Sequence, residues 1–250
     1  MIDYEYPLSE RVRTLLRLES LFQKAFHFVT FDDALQHHAA LLAIFEIIEV
    51  AGRADLKSDI LQELERQRQG LESLRNNQAI DQDKLTSILA EISLSLKAIH
   101  ALTGKLGQGL KEIEWLMNIK QRASIPGGTC EFDLPSYHYW SHTPGEQRRE
   151  QLNLWLKPML PIYQGISVVL KLLRESGTPN PVIAVKGSYQ QMLNGRNAQL
   201  IKISIRQQQP YIPEISANKY ALSIRFLEAC TNHPKACTGN LEFNLTFCHL

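Results

Sequence analysis

The sequence has little of what marks a secreted, membrane-spanning or nucleic-acid-binding protein. Four cysteines in 250 residues are too few for a disulfide framework, so we expect reduced thiols. The 27 basic residues nearly balance 26 acidic ones, which predicts no nucleic-acid partner. The longest apolar run, AALLAIF at 39–45, is well short of the roughly 20 residues that span a bilayer. The first residues, MIDYEYPLSER, lack the basic and apolar regions of a secretory signal, so we expect a cytoplasmic protein without membrane insertion.

Motifs for catalysis are also scarce. The glycines at 104, 107 and 109 lack the Gly-Lys-Ser/Thr element of a phosphate-binding loop, and no metallohydrolase or hydride-transfer motif occurs. Cys130 and His138 could form a thiol–imidazole pair, but nothing around Cys130 resembles a cysteine enzyme, and a free cysteine is usually a buried apolar residue. The sequence therefore predicts no enzymatic activity and no cofactor.

Two groups of potential metal ligands have simpler explanations. Cys230, His233 and Cys237, with Cys248-His249 further on, offer thiols and imidazoles, but C-x2-H-x3-C is not a standard zinc spacing. We expect TNHPKACTGN to be a polar hairpin loop between strands instead, and we predict no metal. His37 and His38 lie among alanines and leucines of a helix, where histidines bonded in a core or an interface are the usual finding.

The first half of the chain has the periodicity of α-helices. Ser9 can cap a first helix, and apolar residues then recur at three- and four-residue steps up to Phe26. A second helix is predicted from Asp32 or Asp33 to Gly52. Its residues 39–50 are apolar nearly all round, so we expect a second subunit to cover part of them, as a homodimer would. Further helical patterns continue to about residue 123, where Ile125-Pro-Gly-Gly128 ends them.

One long helical segment follows at 143–177. Thr143-Pro144-Gly145-Glu146 has the pattern of a capping box with proline at the first helical position. Pro158 and Pro161 each remove a backbone donor, so a kink or a break is expected near 157–161.

After Gly177 the period changes to that of β-strands. QLIKISIR, YALSIRF and LEFNLTF each alternate apolar with polar residues, which is typical of antiparallel sheets with one buried face. Asn194-Gly195 predicts a hairpin turn. We therefore predict an α+β protein with an N-terminal α-helical bundle domain and a C-terminal antiparallel β-strand domain. The bundle would comprise 1–123 and the helix 143–177, and the β-domain would comprise 124–142 and 178–250.

Basic and aromatic residues offer a candidate binding site for an acidic peptide. Arg13 and Arg17 lie one helical turn apart, and others flank the turn at 126–128 or lie on the polar side of a strand. Most single surface arginines are only solvated charges, yet a cleft that gathers arginines and an aromatic suits an acidic peptide better than it suits catalysis. The candidates are Arg13, Arg17, Arg53, Lys120, Arg122, His138, Trp140, Lys219 and Arg225.

Four segments carry a resemblance to a known family. PLSERVRTLLRLE at 7–19, LKSDILQELERQRQGL at 56–71, SIPGGTCEFDLPSYHYW at 124–140 and ISANKYALSIRF at 215–226 resemble, in this order, the ZapD family of Z-ring-associated proteins. The resemblance implies a cytoplasmic bacterial cell division factor recruited to mid-cell. It further implies a homodimer with a helical and a β-strand domain that binds the C-terminal tail of the tubulin-like FtsZ and bundles its filaments.

The resemblance also implies residue roles. Arg17, Arg53, His138, Lys219 and Arg225 match basic groups of the family, whereas Glu114 and Ala221 stand at positions that are basic in better-known members. In this interpretation His138 points toward the tail site, while Cys130 and Phe132 pack inward. The alternative is a cytoplasmic scaffold or adaptor that binds another acidic peptide with the same pocket.

Overall fold

The protein has the α+β architecture that the sequence predicts. A computed structural model describes residues 1–52, 55–75, 77, 79–104, 106–193, 195, 198–229 and 234–249. The chain divides into a helical unit, residues 14–169, and a strand unit formed by residues 1–13 and 170–250. Helices precede strands along most of the chain, as expected.

Three boundaries differ from the prediction. Residues 170–177 belong to the strand unit, although they were assigned to the helical domain with the rest of the helix 143–177. Residues 124–142 belong to the helical unit and contain the helix Pro135–Ser141, although they were assigned to the β-domain. Residues Ile2–Pro7 form a strand of the strand unit, although they were assigned to the helical domain. The alternation of Ile2, Tyr4 and Tyr6 is a strand pattern, but its partner strand is Leu200–Ile205, far away in the sequence.

The first two long helices begin at the capping residues that the sequence predicts. Ser9 Oγ accepts the Val12 N–H at 3.2 Å, and Asp33 Oδ1 accepts the N–H groups of Leu35 and Gln36. The helices are α1 (Glu10–Val29), α2 (Ala34–Gly52), α3 (Leu56–Glu72), α4 (Gln82–His100), α5 (Gln108–Lys111), α6 (Glu114–Ala123), α7 (Pro135–Ser141), α8 (Gly145–Leu156) and α9 (Leu160–Glu175).

Helix α2 is the centre of the helical unit. Leu41, Ile44, Ile47 and Ile48 are fully buried, and the helix contacts α6 and α8. The single chain therefore already covers the apolar circumference that we expected a second subunit to share. By length and composition α2 could also cross a membrane, and half of its most apolar stretch is buried inside the fold.

The segment after α7 differs from its prediction in one respect. The Thr143 side chain does not cap α8: its hydroxyl donates to the Trp140 carbonyl oxygen at 2.7 Å, and Pro144 precedes the first helical residue. The predicted break is confirmed, because a 3-10 turn at Lys157–Met159 separates α8 from α9. Pro158 lies inside that turn, where its missing N–H disturbs the α-helical ladder.

The strand unit is a sandwich of two antiparallel sheets. Its strands are β1 (Ile2–Pro7), β2 (Asn180–Ala184), β3 (Ser188–Met192), β4 (Leu200–Ile205), β5 (Tyr211–Ala217), β6 (Ala221–Glu228) and β7 (Leu241–Cys248). One sheet has the order β1-β4-β7-β2, and the other has the order β3-β6-β5. Inner residues of both sheets form one core, in which the rings of Phe226 and Phe243 lie 4.9 Å apart.

The predicted alternation holds in the middle of the strands and fails at their ends. Leu222, Ile224 and Phe226 are buried and Arg225 is exposed, as expected, but Tyr220 is 61% exposed. In β7 both Thr246 and Cys248 are buried, although they were expected to alternate with buried neighbours. The backbone at Gly177 covers this end of β7, since an added Cβ would lie 2.5 Å from Thr246 Cγ2.

The two predicted hairpin loops connect different sheets instead. The segment around Asn194-Gly195 joins β3 to β4, and TNHPKACTGN joins β6 to β7. Gly195 has the positive φ of a turn, while Asn194 lies outside the described residues. A tight turn lies at Lys186-Gly187 between β2 and β3, which also belong to different sheets; both turn residues have positive φ, and an isolated bridge joins Val185 to Ser188.

Gly187→Ala should destabilise the strand unit strongly. Alanine at φ +70° costs about 1–2 kcal/mol, and its Cβ would lie 2.3 Å from the Cys237 carbonyl oxygen, which adds about 1–3 kcal/mol of overpacking. Gly195→Ala is the matched control, because Gly195 has φ +74° but open space around it. Urea unfolding should show a distinctly lower midpoint for Gly187→Ala than for Gly195→Ala, and equal midpoints would contradict the close approach.

Candidate functional site

The candidate residues for peptide binding fall in both units. Arg17, Arg122, His138 and Trp140 lie in the helical unit, together with Lys120. Arg13, Lys219 and Arg225 lie in the strand unit, and Arg53 lies outside the described residues. The two groups therefore lie in different units, and their convergence on one cleft stays a prediction.

Helix α7 is anchored by all three tryptophans of the chain. The Trp115 ring lies 5.9 Å from the Trp140 ring and 5.8 Å from the Trp155 ring, and Tyr137 stacks on Trp140 at 5.6 Å. Trp140 Nε1 donates to Gln151 Oε1 at 2.7 Å, so its polar edge is paired as well. Trp140 is therefore a buried anchor, and its prediction as an exposed aromatic of a cleft is wrong.

A buried arginine fixes the corner between α7 and α8. Arg148 is 5% exposed, and its guanidinium donates to the carbonyl oxygens of Ser141, Thr143 and Asp32. Its Nε donates to His37 Nδ1 at 3.0 Å. One side chain thus satisfies the carbonyl groups at the end of α7 and joins that corner to the start of α2.

Two histidines beneath this corner are held neutral. Burial lowers the pKa of His37, and the positive charge of Arg148 adds to this effect, while backbone groups of Phe31 and Val29 oppose it. Burial also lowers the pKa of His38, whose Nδ1 lies 2.7 Å from the Tyr137 hydroxyl. Burial raises the pKa of Tyr137 to about 12, so its hydroxyl keeps its proton at neutral pH. Both histidines are core residues with partners, as the sequence indicated.

With Tyr137 and Trp140 directed inward, the opposite face of α7 is open. His138 and Tyr139 are exposed there, Tyr139 to 75%. The preceding loop adds Ile125 at 48% and Phe132 at 80% exposure, and Arg122 ends α6 beside it. We call these five residues the junction surface. Cys130 is also exposed, so the expectation that Cys130 and Phe132 pack inward is wrong.

The glycines of the loop give the junction surface its shape. Gly127 has φ +72°, and the Gly128 N–H donates to the Ile125 carbonyl oxygen at 2.9 Å. A Cβ on Gly128 would lie 2.3 Å from the Arg122 carbonyl oxygen, so only glycine allows this approach. The turn brings the loop back against the end of α6, as its Pro-Gly-Gly sequence indicated.

Ion pairs on this surface are exposed and loose. Arg122 Nη1 lies 3.4 Å from Asp133 Oδ1, and His138 Nδ1 lies 3.9 Å from Glu131 Oε2. Exposed pairs contribute only about 0–1 kcal/mol, so a ligand carboxylate can replace either acidic partner at little cost. Lys120 likewise lies at the long distance of 3.8 Å from Glu49.

The strand unit carries a second, separate group of cations. Arg225 is exposed on β6, opposite Ser188 of β3 and Glu214 of β5. Lys219 lies in the β5–β6 turn with its Nζ 4.7 Å from the Tyr220 ring centroid. Arg13 instead pairs with Glu10 at 3.1 Å and lies 6.0 Å from the Tyr6 ring.

The remaining positions that the sequence singled out lie on regular helices and strands or among the potential metal ligands. Arg17 is exposed on α1, Glu114 is the first residue of α6, and Ala221 is the first residue of β6. In the part of the chain that is described, no three or more His, Cys, Asp or Glu side chains cluster as metal ligands. Of the ligands considered above, Cys230 and His233 lie outside that part, and Cys237 is buried with its thiol near the Gly239 carbonyl oxygen.

The sequence did not single out Arg148, Tyr139 or Tyr220. Arg148 stands beside Arg149, whose pairing with Asp32 is partly exposed, and no local pattern separates the buried arginine from its neighbour. Exposed Tyr139 and buried Trp140 are likewise adjacent. A helix of seven residues is too short to display the period that would have told these faces apart.

Arg148→Met should destabilise the helical unit severely. The change leaves buried His37 Nδ1 and several partly buried carbonyl groups without their donor, and each buried group that loses its partner costs about 1–3 kcal/mol. Arg149→Met serves as the control, since its partly exposed ion pair is worth about 1 kcal/mol or less. Urea unfolding followed by tryptophan fluorescence should show a large decrease in the free energy of unfolding for Arg148→Met but not for Arg149→Met. A loss of similar size in both variants would contradict the role of Arg148.

Stability should fall as the pH is lowered below about 6.5. The pKa of each histidine is lower in the folded protein than in the unfolded chain, so the unfolded chain takes up protons more readily. The contribution of each neutral histidine to the stability of the fold is therefore fully present above the unfolded-state pKa. That contribution is lost as the pH falls toward the folded-state pKa. Urea midpoints should therefore drop between pH 7.5 and 5.5. The double variant His37→Gln/His38→Gln should show a flatter dependence even if it is less stable throughout. An unchanged slope would show that other groups control the acid response.

Comparison with known proteins identifies the family. The family model described as ZapD, a cell division protein, matches residues 16–225. The chain is 53% identical to the cell division protein ZapD of Dechloromonas aromatica (strain RCB) and 53% identical to that of Azoarcus sp. (strain BH72), in both cases over 100% of each chain. It is 51% identical to the ZapD of Aromatoleum aromaticum, over 100% of this chain and 98% of the relative. The chain therefore belongs to the ZapD family of cell division proteins.

Proposed function

We propose that this protein acts in the cytoplasm at the division site, where it binds the C-terminal tail of FtsZ and cross-links FtsZ filaments as a homodimer. Membership of a cell division family supports the cellular role. The observation that carries the binding proposal is the junction surface. Strongly exposed Phe132 stands in the sequence between Glu131 and Asp133, which pair with His138 and Arg122, and exposed Tyr139 follows His138. Such a mixture of apolar and cationic groups suits a short peptide that has both apolar and acidic residues.

The apolar side chains supply the affinity in this proposal. Covering an exposed aromatic ring removes apolar area from water at about 25 cal/mol per Å², whereas each exposed ion pair contributes about 1 kcal/mol or less. Arg122 then selects for acidity, because a tail carboxylate can replace Asp133 as its partner, and His138 can donate a ring N–H to a carboxylate in place of Glu131.

The strand unit carries a separate set of cations that is a further candidate for binding acidic residues of the tail. Arg225 is free of the sheet core and can hold a carboxylate with two parallel hydrogen bonds. Lys219 and Tyr220 present a cation and a ring from the neighbouring turn. Arg17, Arg53 and Arg13 complete the proposed set by resemblance to the family, while Trp140 acts by positioning α7.

Cross-linking requires at least two tail sites in one particle. A homodimer supplies two, and simultaneous attachment to two filaments multiplies a weak single contact through effective concentration. Light scattering of the purified chain at micromolar concentration measures its mass, and that of one chain would contradict this part of the proposal.

An adaptor for another acidic peptide is the second candidate, because the junction surface by itself does not specify FtsZ. FtsZ without its C-terminal tail separates the two candidates. Under our proposal the tail-less filaments neither sediment with the protein nor form bundles, whereas full-length filaments do both. Equal bundling of both forms would exclude the tail as the ligand.

Truncation of the cations should weaken tail binding without unfolding the protein. Arg225→Ala should lower the affinity for a tail peptide about ten- to a hundredfold, the usual cost of a lost charge-assisted contact of about 1.5–3 kcal/mol. His138→Ala and Phe132→Ala should act in the same direction. Arg68→Ala is the control, since Arg68 forms an exposed ion pair within α3. The nearby Arg66 would be a poor control, because it pairs with the buried Glu63 and its removal would affect stability.

Fluorescence anisotropy with a labelled tail peptide measures these affinities, and circular dichroism checks that each variant is folded. Binding that is unchanged in Arg225→Ala, His138→Ala and Phe132→Ala would place the tail elsewhere on the protein. Binding that is lost equally in Arg68→Ala would indicate a nonspecific charge effect.

A further inference from the structure

Two exposed histidines lie close together, His138 on α7 and His142 directly after its last residue. His138 and His142 are one helical turn apart, both are exposed, and their ring centroids are 4.4 Å apart. The rings are tilted by 49°, so they do not stack face to face. Histidines at positions i and i+4 of a helix project from the same side, which is the spacing that zinc-binding helices use.

The hydrogen bonds leave the outer nitrogen of each ring available. His142 Nδ1 lies 2.8 Å from the His138 carbonyl oxygen, and a carbonyl can only accept, so Nδ1 carries the proton and Nε2 keeps its lone pair. In His138 it is likewise Nδ1 that faces an acceptor, since it lies 3.9 Å from a Glu131 carboxylate oxygen. Metal-binding histidines typically donate one ring N–H to a carbonyl or a carboxylate in this way.

The backbone that carries both rings is already ordered. Arg148 bonds the carbonyl oxygen of Ser141, Trp140 is packed among aromatic rings, and the Ser141 hydroxyl donates to the His138 carbonyl oxygen at 2.7 Å. The binding of a ligand to both rings therefore loses little conformational entropy in the backbone between them.

We propose that His138 and His142 together bind one divalent transition-metal ion of the zinc type through their Nε2 atoms. Two imidazoles favour zinc, nickel or copper over magnesium and calcium, which prefer oxygen ligands. A ring separation of 4.4 Å allows one ion to reach both rings with metal–nitrogen bonds of about 2.0–2.1 Å. Water completes the coordination, because no third side-chain ligand clusters there among the described residues. This site does not depend on FtsZ binding.

Calorimetric titration of the full chain with zinc chloride tests the proposal without FtsZ. His138→Gln and His142→Gln should each weaken zinc binding about tenfold or more, since even an outer-shell partner of a metal ligand is worth 10–100-fold in affinity. His100→Gln is the control, because it removes an exposed histidine from α4. Cys130→Ser tests the nearest exposed thiol and should keep the wild-type affinity. Zinc should also raise the melting temperature of the wild type and leave that of the double variant His138→Gln/His142→Gln unchanged.

Several results would overturn the proposal. The first is that the wild type binds no zinc at millimolar concentration. The second is that the double variant binds zinc with the affinity of the wild type. The third is that only one of the two single substitutions weakens zinc binding. Loss of binding in Cys130→Ser would assign the ion to the thiol instead, and equal binding of magnesium would exclude imidazole ligands. Circular dichroism of both histidine variants, which alter exposed side chains, ensures that lost binding is not lost folding.

Discussion

The buried guanidinium of Arg148 is the interaction on which the rest of the helical unit's binding face depends. It bonds the carbonyl groups at the end of α7, the Asp32 carbonyl before α2, and His37 within α2. A charge so deeply buried is tolerable only because every direction of its planar fork meets an acceptor. A lysine would not substitute, since it is a single point charge. The corner between α7 and α8 therefore has one stable geometry, and that geometry places α7.

The two faces of α7 have opposite roles that follow from this anchoring. Tyr137 and Trp140 fill the space toward α6 and α8, so their neighbours His138 and Tyr139 have no room in the core and are exposed. The same logic applies to the loop before α7, where the turn at Gly127-Gly128 takes the chain back toward α6 and leaves Phe132 outside. Exposed aromatic side chains cost solubility, and their concentration in one short segment is a reason to regard that segment as a binding surface.

Sequence patterns predicted the elements that are long and locally determined. Ser9 and Asp33 cap helices as expected, the alternation in β6 identifies its buried face, and the prolines mark the break before α9. In β4 the alternation is not reflected in burial, since Ser204 is buried with the isoleucines. The predictions that failed concern elements that are short or that depend on partners far away in the sequence. Residues 2–7 form a strand only because β4 is beside them, and seven residues of α7 contain too few turns to show a period. The burial of Trp140 and Arg148 is decided by tertiary packing, which no local pattern encodes.

The charge balance of the chain limits how recognition can work. With a net charge of +1, the protein has little long-range field to draw an acidic partner, and salt at physiological strength screens what remains beyond about 8 Å. Arg122 and His138 also begin with acidic partners of their own, so an incoming carboxylate exchanges one exposed pair for another. Charge can then select the partner and set its register, but it cannot supply most of the binding free energy. That contribution has to come from direct contact with Ile125, Phe132 and Tyr139, whose apolar area is the part of the junction surface that water solvates least well.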